Sequence, residues 1–389
     1  MNKENELLLL KNCDIYRPEH IGVKDILICG EDIVLVEDET EGLLGSGLNL
    51  KTKDLSGKKV LPGFIDLHVH TIGGGGEGGP RFRVPGLPLS EAISAGITTA
   101  VGVLGTDNVT RSLEALLSKT KALNENITSY MYTGSYHLPS PSMTGSIKRD
   151  ITLLDEVVGV KVAISDHRSS QPTVGELKRL ASQARAGGIL SGKPGLVHVH
   201  VGSGEGGLKP IFKVLEESEI PAGQFLPTHI SPKKGLVEDG LELLKMGGAI
   251  DVTAPGDNDE GQGYMREIFE SLKGVGIDGV TLSSDGNGSF PVFDEDGNLL
   301  DVGRGKVETL WNTIRKSIDE GILDMSEGIG LITENPAKRI GVSGHKGTVA
   351  PGYDADLVVV DEDLRIDSVY GKGKALMEDG KIKVKGYFE

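Results

Sequence analysis

Eight short apolar runs, each followed by polar residues and then by a helical pattern, constrain the fold of this chain more than any other feature. The runs are rich in β-branched residues and lie near residues 60–70, 97–105, 127–134, 157–165, 195–201, 224–230, 249–253 and 279–284. Helical spacing of apolar residues covers 110–123, 173–186, 208–217, 236–245, 264–273 and 306–320. Eight alternations over roughly 250 residues match a (β/α)8 TIM barrel, whereas a doubly wound sheet needs no eighth strand. The sequence therefore predicts an α/β fold built on a TIM barrel.

Both ends of the chain have a different pattern, made of short strands. Apolar runs at residues 6–11, 25–29 and 32–37 are bounded by glycine and charged turns, and residues 343–389 contain similar runs. We therefore expect the two ends to meet in one small β-sandwich domain, formed by residues 1–60 and 343–389. Residues 61–342 would form the barrel domain.

Charge and cysteine content exclude several classes of partner. The net charge of −16 over 389 residues makes a nucleic-acid backbone or an anionic membrane surface a poor partner. No run approaches the eighteen or so apolar residues of a membrane span. Two cysteines, Cys13 and Cys29, are too few for a disulfide scaffold and suit a reducing cytosol. We expect a cytoplasmic enzyme that binds neither nucleic acid nor membrane.

His68 and His70 end the first predicted barrel strand. Because residues i and i+2 of a strand point to the same face, both imidazoles are expected to converge on the barrel mouth, as a bound cation requires. Two solvent-facing histidines are the alternative interpretation, but the preceding apolar residues are typical of a buried strand.

Polar residues recur at the carboxyl ends of later strands, where barrels hold their active sites. His200 and His229 end the fifth and sixth strands, and Asp285 follows the eighth. The steps from Lys161 through these residues are 39, 29 and 56, or about one, one and two βα units of roughly 31 residues. His198 shares a strand face with His200 but lies farther from the carboxyl end. We therefore predict His200 as a ligand and His198 as a hydrogen-bonded histidine one layer below.

Lys161 interrupts an otherwise apolar strand, residues 157–164. A lone buried ammonium costs several kcal/mol, so such a lysine is expected to be paired, neutral or modified. One interpretation is a structural ion pair with Asp66 or Asp166. The other is reaction of the neutral amine with CO2 to give a carbamate, an anion that can bridge two cations. The carbamate fits the neighbouring histidines better.

These motifs together resemble the amidohydrolase superfamily over the whole chain. The superfamily pattern is carried by Pro62-Gly-Phe-Ile-Asp-Leu-His68-Val-His70, Glu334-Asn-Pro-Ala-Lys338 and Pro351-Gly-Tyr-Asp-Ala-Asp-Leu357. Within it the chain is similar to the isoaspartyl dipeptidase family, through Gly73-Gly-Gly-Gly-Glu77, Leu104-Gly-Thr106-Asp107, Thr133-Gly-Ser-Tyr136-His137 and Ser284-Asp285-Gly-Asn-Gly-Ser289. The resemblance implies a metal-dependent dipeptidase that hydrolyses β-aspartyl (isoaspartyl) linkages.

The resemblance also implies a binuclear site with two Zn2+ per subunit. Its ligands would be His68, His70, Lys161, His200, His229 and Asp285. The first two histidines and Asp285 would bind one ion, the other two histidines the second, and N6-carboxylated Lys161 would bridge them. A hydroxide between the ions is the implied nucleophile, since metal binding lowers the pKa of water to about 7. Asp285 would carry the proton to the departing amine, and Tyr136 would stabilise the oxyanion.

Family analogy further implies the residues that recognise the substrate. Glu77 would bind the α-ammonium of the isoaspartyl residue, and Gly75, Thr106 and Ser289 would hydrogen-bond the same end. Arg168 would hold a substrate carboxylate, which suits a planar guanidinium. The alternative interpretations are a solvated Glu or Arg on a loop, and a turn residue at Thr106.

The chain departs from the family pattern after His229. The family typically has an arginine three positions later, where this sequence has Pro232, followed by Lys233 and Lys234. Lys233 or Lys234 could supply the replacement cation, with Lys233 taken as the predicted site residue, although a lysine lacks bidentate geometry. The departure affects the predicted substrate preference, whereas the residues predicted to carry out hydrolysis are unchanged.

Two other functions are alternatives to the dipeptidase. A cyclic-amide hydrolase of the dihydroorotase or hydantoinase type would use the same metal core, but the Glu77 motif favours a substrate with a free amine. A non-catalytic barrel used as a scaffold is expected to lose ligands, whereas the predicted set is complete. Imidazole and carboxylate ligands also accept Co or Mn. The resemblance suggests a homo-oligomer.

Overall fold

The computed structural model describes residues 7–38, 40, 50–231, 235–293 and 299–389. The strands of these residues are β1 (Leu7–Tyr16), β2 (His20–Cys29), β3 (Asp32–Glu37), β4 (Leu50–Asp54), β5 (Lys59–Pro62), β6 (Phe64–Val69), β7 (Ile97–Gly102), β8 (Thr128–Gly134), β9 (Val157–Ile164), β10 (Leu196–Val201), β11 (Phe225–Thr228), β12 (Ile250–Thr253), β13 (Val280–Ser283), β14 (Ser289–Phe293), β15 (Leu299–Arg304), β16 (Leu357–Val360), β17 (Ile366–Gly371), β18 (Lys374–Glu378) and β19 (Lys381–Ile382).

The α-helices of the same residues lie mainly between the strands of the middle region. They are α1 (Leu89–Ser94), α2 (Leu113–Leu123), α3 (Ile147–Leu153), α4 (Val174–Ser191), α5 (Lys209–Glu216), α6 (Leu236–Lys245), α7 (Asp259–Ser271), α8 (Thr309–Asp319), α9 (Met325–Ile332) and α10 (Glu334–Arg339). Helix α4 begins at a capping box between Thr173 and Glu176 and ends at Gly192, whose φ is 69°. No helix in the described part of the chain has the length and apolar content to span a membrane.

Strands from both ends of the chain form one mixed nine-stranded sheet. Its order is β19-β18-β17-β16-β5-β1-β2-β3, and β4 pairs with β1. Strand β5 joins the two ends, since Ile15 lies opposite Val60 and Leu357 opposite Pro62. One apolar cluster draws all its fully buried members from these ends: Leu10, Cys13, Ile15, Ile26, Ile28, Ile33, Leu55, Val60, Val349, Ala355, Leu357, Val359 and Tyr370.

The middle of the chain forms a curled parallel sheet. Strands β6 to β11 pair in sequential order, and β12 pairs with β13. The Ile230 amide donates to the Asp251 carbonyl (3.2 Å), which connects the end of β11 to β12. The His70 amide donates to the Gly286 carbonyl (2.8 Å), which connects the end of β6 to the segment after β13. Eight parallel strands therefore curl until the eighth lies beside the first, consistent with the predicted TIM barrel.

The first predicted run, residues 60–70, is two strands rather than one. The chain passes from the mixed sheet into the barrel at Gly63, whose amide donates to the Asp356 carbonyl (2.7 Å). A Cβ at Gly63 would lie 2.1 Å from Thr98 Oγ1. The close approach of the second barrel strand therefore requires glycine at this junction.

The structure also contains elements that the sequence analysis did not predict. They include α1, α3, α9 and α10, strands β4 and β17, and the hairpin of β14 and β15. Helix α3 has only seven residues, too few for a periodic apolar pattern. Tertiary packing stabilises it, since Ile151 lies so close to Gly187 of α4 that a Cβ there would be 3.0 Å away.

Candidate active site

The six predicted metal ligands lie at the carboxyl-terminal side of the barrel strands. Three lie within strands: His68 in β6, Lys161 in β9 and His200 in β10. Three follow strands: His70 after β6, His229 after β11 and Asp285 after β13. Five of them are buried, and His229 is half-buried.

Lys161 reaches the other ligands because its side chain is long. In the register of β9 and β10, Lys161 lies beside His198, whereas His200 lies beside Ala163, two residues nearer the carboxyl end. The Lys161 ammonium nitrogen nevertheless lies 2.8 Å from His68 Nε2. The four-carbon stem thus carries the amine from a deeper layer into the cluster of histidines.

His68, His70 and Asp285 form a compact group of donor atoms. One ligand atom from each lies within 4.8 Å of the others. Asp285 Oδ1 is 3.4 Å from His68 Nε2 and 3.3 Å from His70 Nε2. Two imidazoles and a carboxylate at this spacing are a donor set that zinc accepts in proteins.

His200 and His229 lie next to this group. Their ring centroids are 4.7 Å apart, and the His229 centroid is 5.1 Å from that of His68. His229 Nδ1 lies 2.7 Å from Thr253 Oγ1, and this contact orients the His229 ring. The other ring nitrogen, Nε2, does not take part in this contact. All the predicted ligands are therefore brought together around one point of the barrel mouth.

Burial sets the charge state of this cluster. It lowers the pKa of Lys161 to about 7. It lowers the pKa of His68 and His229 well below the usual range and that of His200 to about 4, so these imidazoles are neutral at pH 7. Burial alone would raise the pKa of Asp285, but the adjacent imidazoles lower it overall, so this carboxylate is ionised.

Two of the predicted ligands have a left-handed backbone. The φ angles are 67° for His229 and 50° for Asp285, a region that non-glycine residues rarely occupy. Such strain persists only where surrounding contacts hold it, and it is concentrated at functional sites. Here it directs both side chains inward at the ends of short strands.

The interpretation of Lys161 as a structural ion pair is wrong. Among the described residues, neither Asp66 nor Asp166 forms an ion pair with the Lys161 ammonium. Asp66 instead accepts hydrogen bonds from the Ser284 amide (3.2 Å) and from the Ser284 hydroxyl. Asp166 pairs with Arg168, 2.8 Å from its Nη2. Within the described part of the chain, the buried amine therefore has an imidazole as its partner and no carboxylate at hydrogen-bond distance.

Residues predicted to recognise substrate meet on one side of the ligand cluster. Glu77 Oε1 lies 3.4 Å from Arg168 Nη1, and the Ser289 hydroxyl donates to Glu77 Oε2 at 3.0 Å. These residues come from the loops after β6 and β9 and from the start of β14. A carboxylate and a guanidinium thus lie side by side, although they are 91 residues apart in the chain.

Tyr136 lies between the ligand cluster and these residues. Its hydroxyl is 2.8 Å from His200 Nδ1, and Arg168 Cζ is 5.5 Å from the centre of its ring. Burial raises the pKa of Tyr136 well above its usual value, so the phenol keeps its proton and can donate a hydrogen bond.

A cavity of about 630 Å3 connects the two groups of residues. Its walls include nine of the predicted site residues: His70, Gly75, Glu77, Tyr136, Arg168, His200, His229, Asp285 and Ser289. Thr106 lies outside this cavity, in an adjacent depression that shares Gly75 and Glu77 with it. Lys233 lies outside the described residues.

Three contacts around the predicted ligands were not predicted from the sequence. Asp166 Oδ2 lies 2.7 Å from His200 Nε2, and Thr253 Oγ1 contacts His229 Nδ1. His198 is hydrogen-bonded, as predicted, but the identity of its partner was not predicted. His198 Nε2 lies 2.9 Å from His68 Nδ1. Asp166 follows the end of β9 directly, and this strand-end position was the available signal for it.

Comparison with known proteins identifies the family. The amidohydrolase family model matches residues 265–383. A crystal structure of the β-aspartyl dipeptidase of Fervidobacterium islandicum AW-1 with β-Asp-Leu is 43% identical, covers 98% of both chains and has a TM-score of 0.92. A second structure of that enzyme is 42% identical, covers 97% of this chain and 99% of the other, and has a TM-score of 0.89. This chain belongs to the β-aspartyl dipeptidase family.

More distant relatives agree with the wider assignment. The L-hydantoinase of Paenarthrobacter aurescens is 24% identical over 410 residues, which cover 92% of this chain and 86% of the relative. A dihydropyrimidinase from Brevibacillus agri NCHU1002 shares the fold, with a TM-score of 0.69 at 16% identity. The predicted membership of the β-aspartyl dipeptidase family within the amidohydrolase superfamily is therefore confirmed.

Proposed function

We propose that this protein is a metal-dependent β-aspartyl dipeptidase. The observation that carries the proposal is the pairing of Glu77 with Arg168 beside the ligand cluster, in one cavity. A β-aspartyl dipeptide carries an ammonium and carboxylates, the charges opposite to those of this pair. The 43% identity to a β-aspartyl dipeptidase whose crystal structure contains β-Asp-Leu supports the same substrate class.

We propose that two Zn2+ ions bind the cluster, bridged by N6-carboxylated Lys161. His68, His70 and Asp285 would hold one ion, and His200 and His229 the other. The donor set fits a metal, because Asp285 Oδ1 is buried and has no hydrogen-bond partner among the described atoms. When bound, the ions would polarise the scissile carbonyl and activate a water molecule.

The chain's own groups would carry the proton and the developing charge. Asp285 is ionised and lies against His68 and His70, so it can accept a proton from the attacking water and donate it to the leaving amine. Tyr136, a protonated phenol beside the cluster, can donate a hydrogen bond to the oxygen on which charge develops. The substrate oxygen would thereby replace His200 Nδ1 as the partner of the Tyr136 hydroxyl.

Substrate orientation would follow from the charged residues of the cavity. Glu77, held by Ser289, would accept the α-ammonium, and Arg168 would bind a carboxylate of the substrate. Gly75 and Thr106 would add contacts at the ammonium end, and Lys233 would supply a second cation. Binding both charged ends fixes the scissile bond relative to Asp285.

We further propose two domains, a homo-oligomer and a cytoplasmic location. Residues 1–60 and 343–389 would form a small β-sandwich domain, supported by the separate apolar cluster of the chain ends, and residues 61–342 the barrel domain. Cytoplasmic location is supported by the absence of a disulfide between Cys13 and Cys29, both of which are free thiols.

The proposal is tested by measuring metal content and substrate range together. Protein purified without chelator should contain close to two transition-metal ions per chain and should hydrolyse β-Asp-Leu, but neither α-Asp-Leu nor dihydroorotate. The Glu77→Gln variant should lose about 10- to 100-fold in kcat/KM for β-Asp-Leu, the loss of a charged hydrogen bond. Glu267→Gln, on the exposed face of α7, is the matched control.

Other outcomes point to the other functions. Turnover of dihydroorotate alone would favour a cyclic-amide hydrolase. Protein without bound transition metal and without turnover of any of the three compounds would favour a non-catalytic barrel.

A further inference from the structure

One carboxylate, that of Asp166, connects the ligand cluster with the substrate-binding side of the cavity. It lies in the loop directly after β9 and is buried. Its Oδ2 is 2.7 Å from His200 Nε2. Arg168 donates to Oδ1 from Nε at 3.0 Å and to Oδ2 from Nη2 at 2.8 Å, in a bidentate pair. The carboxylate therefore contacts two residues with different proposed tasks.

The contacts of Asp166 determine which His200 nitrogen carries the proton. Both oxygens accept hydrogen bonds from Arg168, and the Arg168 amide also donates to Oδ1 at 2.7 Å. A carboxylate in a bidentate pair with a guanidinium is ionised and can only accept hydrogen bonds, so His200 Nε2 donates to it. In a neutral imidazole the lone pair is then on Nδ1. This nitrogen faces the Tyr136 hydroxyl, 2.8 Å away in the cavity.

The same carboxylate fixes the direction of the Arg168 guanidinium. With Nε and Nη2 bound to Asp166, Nη1 remains free to point toward Glu77, 3.4 Å away. The guanidinium carbon lies 5.5 Å from the centre of the Tyr136 ring. A flexible arginine is thereby held in one orientation over the cavity, at little further cost in side-chain entropy when it binds a ligand.

We propose that Asp166 is a positioning residue that holds His200 with its Nδ1 lone pair toward the cavity and Arg168 with Nη1 toward the substrate. This inference rests on the proposed function. It adds that metal binding at the His200 side and binding of the substrate carboxylate depend on one shared side chain. Carboxylates that orient metal-binding histidines typically contribute 10- to 100-fold to metal affinity or activity.

A purely structural ion pair between Asp166 and Arg168 is the competing explanation. It would stabilise the loop but would not control the tautomer of His200 or the metal content. The test therefore needs measurements that respond to the imidazole, and these must not depend on turnover.

The first measurement is the tautomer of His200 in metal-free protein, by 15N NMR of histidine-labelled samples with His200→Gln to assign the signal. Wild-type protein should show His200 protonated on Nε2. Asp166→Asn should show a mixture of tautomers or the Nδ1-protonated form. A wild-type His200 protonated on Nδ1 would overturn the proposal without any variant, even if Asp166→Asn failed to fold.

The second measurement is metal content together with kinetics on β-Asp-Leu. Asp166→Asn should lose about half of its bound metal, and its KM should rise at least tenfold as Arg168 loses its orientation. Asp166→Glu, which keeps a carboxylate, should recover part of the metal content, and its KM should lie between those of wild type and Asp166→Asn. Glu205→Gln, an exposed acid on the following loop, should match wild type.

The outcomes separate the two proposals. Full metal content and an unchanged KM in a folded Asp166→Asn protein would overturn the positioning role. If wild-type protein failed to hydrolyse β-Asp-Leu, the proposed function would fail, whereas the tautomer and metal measurements would still decide the role of Asp166.

Discussion

The environment of the Lys161 amine favours its neutral form over the protonated ammonium. The amine is fully buried, its neighbours are neutral imidazoles, and its nearest partner is His68 Nε2. A protonated amine is unfavourable in such surroundings, and only the neutral form reacts with CO2. Burial among imidazoles thus favours the modification that the proposed metal site requires.

Replacing Lys161 by Ala should remove the bridging anion and abolish metal loading at the bridged site. Short carboxylates such as propionate should restore part of the metal, because the cavity left by the side chain can hold an anion in its place. Elemental analysis with and without propionate measures this. Lys178→Ala is the control, since that ammonium pairs with Glu217 at the surface (3.1 Å). An undiminished metal content in the Lys161→Ala variant would contradict the proposal that carboxylated Lys161 bridges the ions.

Reconstitution of metal-free protein should depend on pH through Lys161. The imidazoles of His68, His200 and His229 are already neutral at pH 6, whereas the Lys161 pKa is about 7. At fixed CO2 pressure, the rate of zinc uptake should therefore rise about tenfold between pH 6 and pH 8, as the neutral amine becomes the major form. Stopped-flow or timed elemental analysis measures the rate. A flat profile, or one that falls with pH, would exclude reaction through the neutral amine.

The ligand residues themselves could be predicted from sequence, because strand ends and βα spacing are local features. His70, His229 and Asp285 follow short apolar strands in this way. The contact of Asp166 with His200 could not be predicted, since it depends on how the loop after β9 folds against β10. The same limit applies to the partner of Lys161, for which spacing left two interpretations open.

At the scale of the elements, close strand contacts fix the depth of the ligands. Gly159 lies in β9, two residues before Lys161, and a Cβ there would be 2.2 Å from the Leu196 carbonyl oxygen in β10. A side chain at this position would push the two strands apart and move Lys161 relative to His200.

Gly159→Ala should therefore lower both the free energy of unfolding and the metal content. Gly263→Ala is the matched control, because Gly263 is exposed in α7 and nothing lies within 4 Å of a Cβ there. Alanine should stabilise this helix by about 0.5–1 kcal/mol. Urea unfolding and elemental analysis measure both effects. Equal stability of the two variants would show that β9 and β10 tolerate the extra atom.

Helices with a clear apolar period were predicted, although α4 extends five residues beyond its predicted end at 186, and helices without such a period were missed. Helix α6 begins and ends at the predicted residues, 236 and 245. Helix α3 was missed because seven residues give too little periodicity. The break at Gly63 was missed because its cause is Thr98, a neighbour in space and not in sequence.

At the scale of the whole molecule, one aromatic residue joins the two sheets. Trp311, the chain's single tryptophan, stacks on Phe64 of β6 with ring centroids 4.9 Å apart. Its indole N–H donates to the Leu364 carbonyl (2.8 Å), between β16 and β17. The barrel and the strands of the C-terminal end thus share a buried contact.

Because of this contact we expect the two sheets to unfold together. Tryptophan fluorescence and far-UV circular dichroism should give coincident urea transitions. Trp311→Phe should keep the ring stack but leave the Leu364 carbonyl unpaired, which lowers the free energy of unfolding by about 1–3 kcal/mol. Separate transitions for the two signals would indicate units that unfold independently.

The order of the strands has a consequence for biosynthesis. Strand β5 needs β16 as its neighbour, and the amide of His70 needs the carbonyl of Gly286. A nascent polypeptide leaving the ribosome therefore exposes unpaired strand edges until its last quarter has emerged. Such late closure is slow and prone to association between chains, so cells that make this protein rapidly would benefit from chaperones that shield those edges during translation.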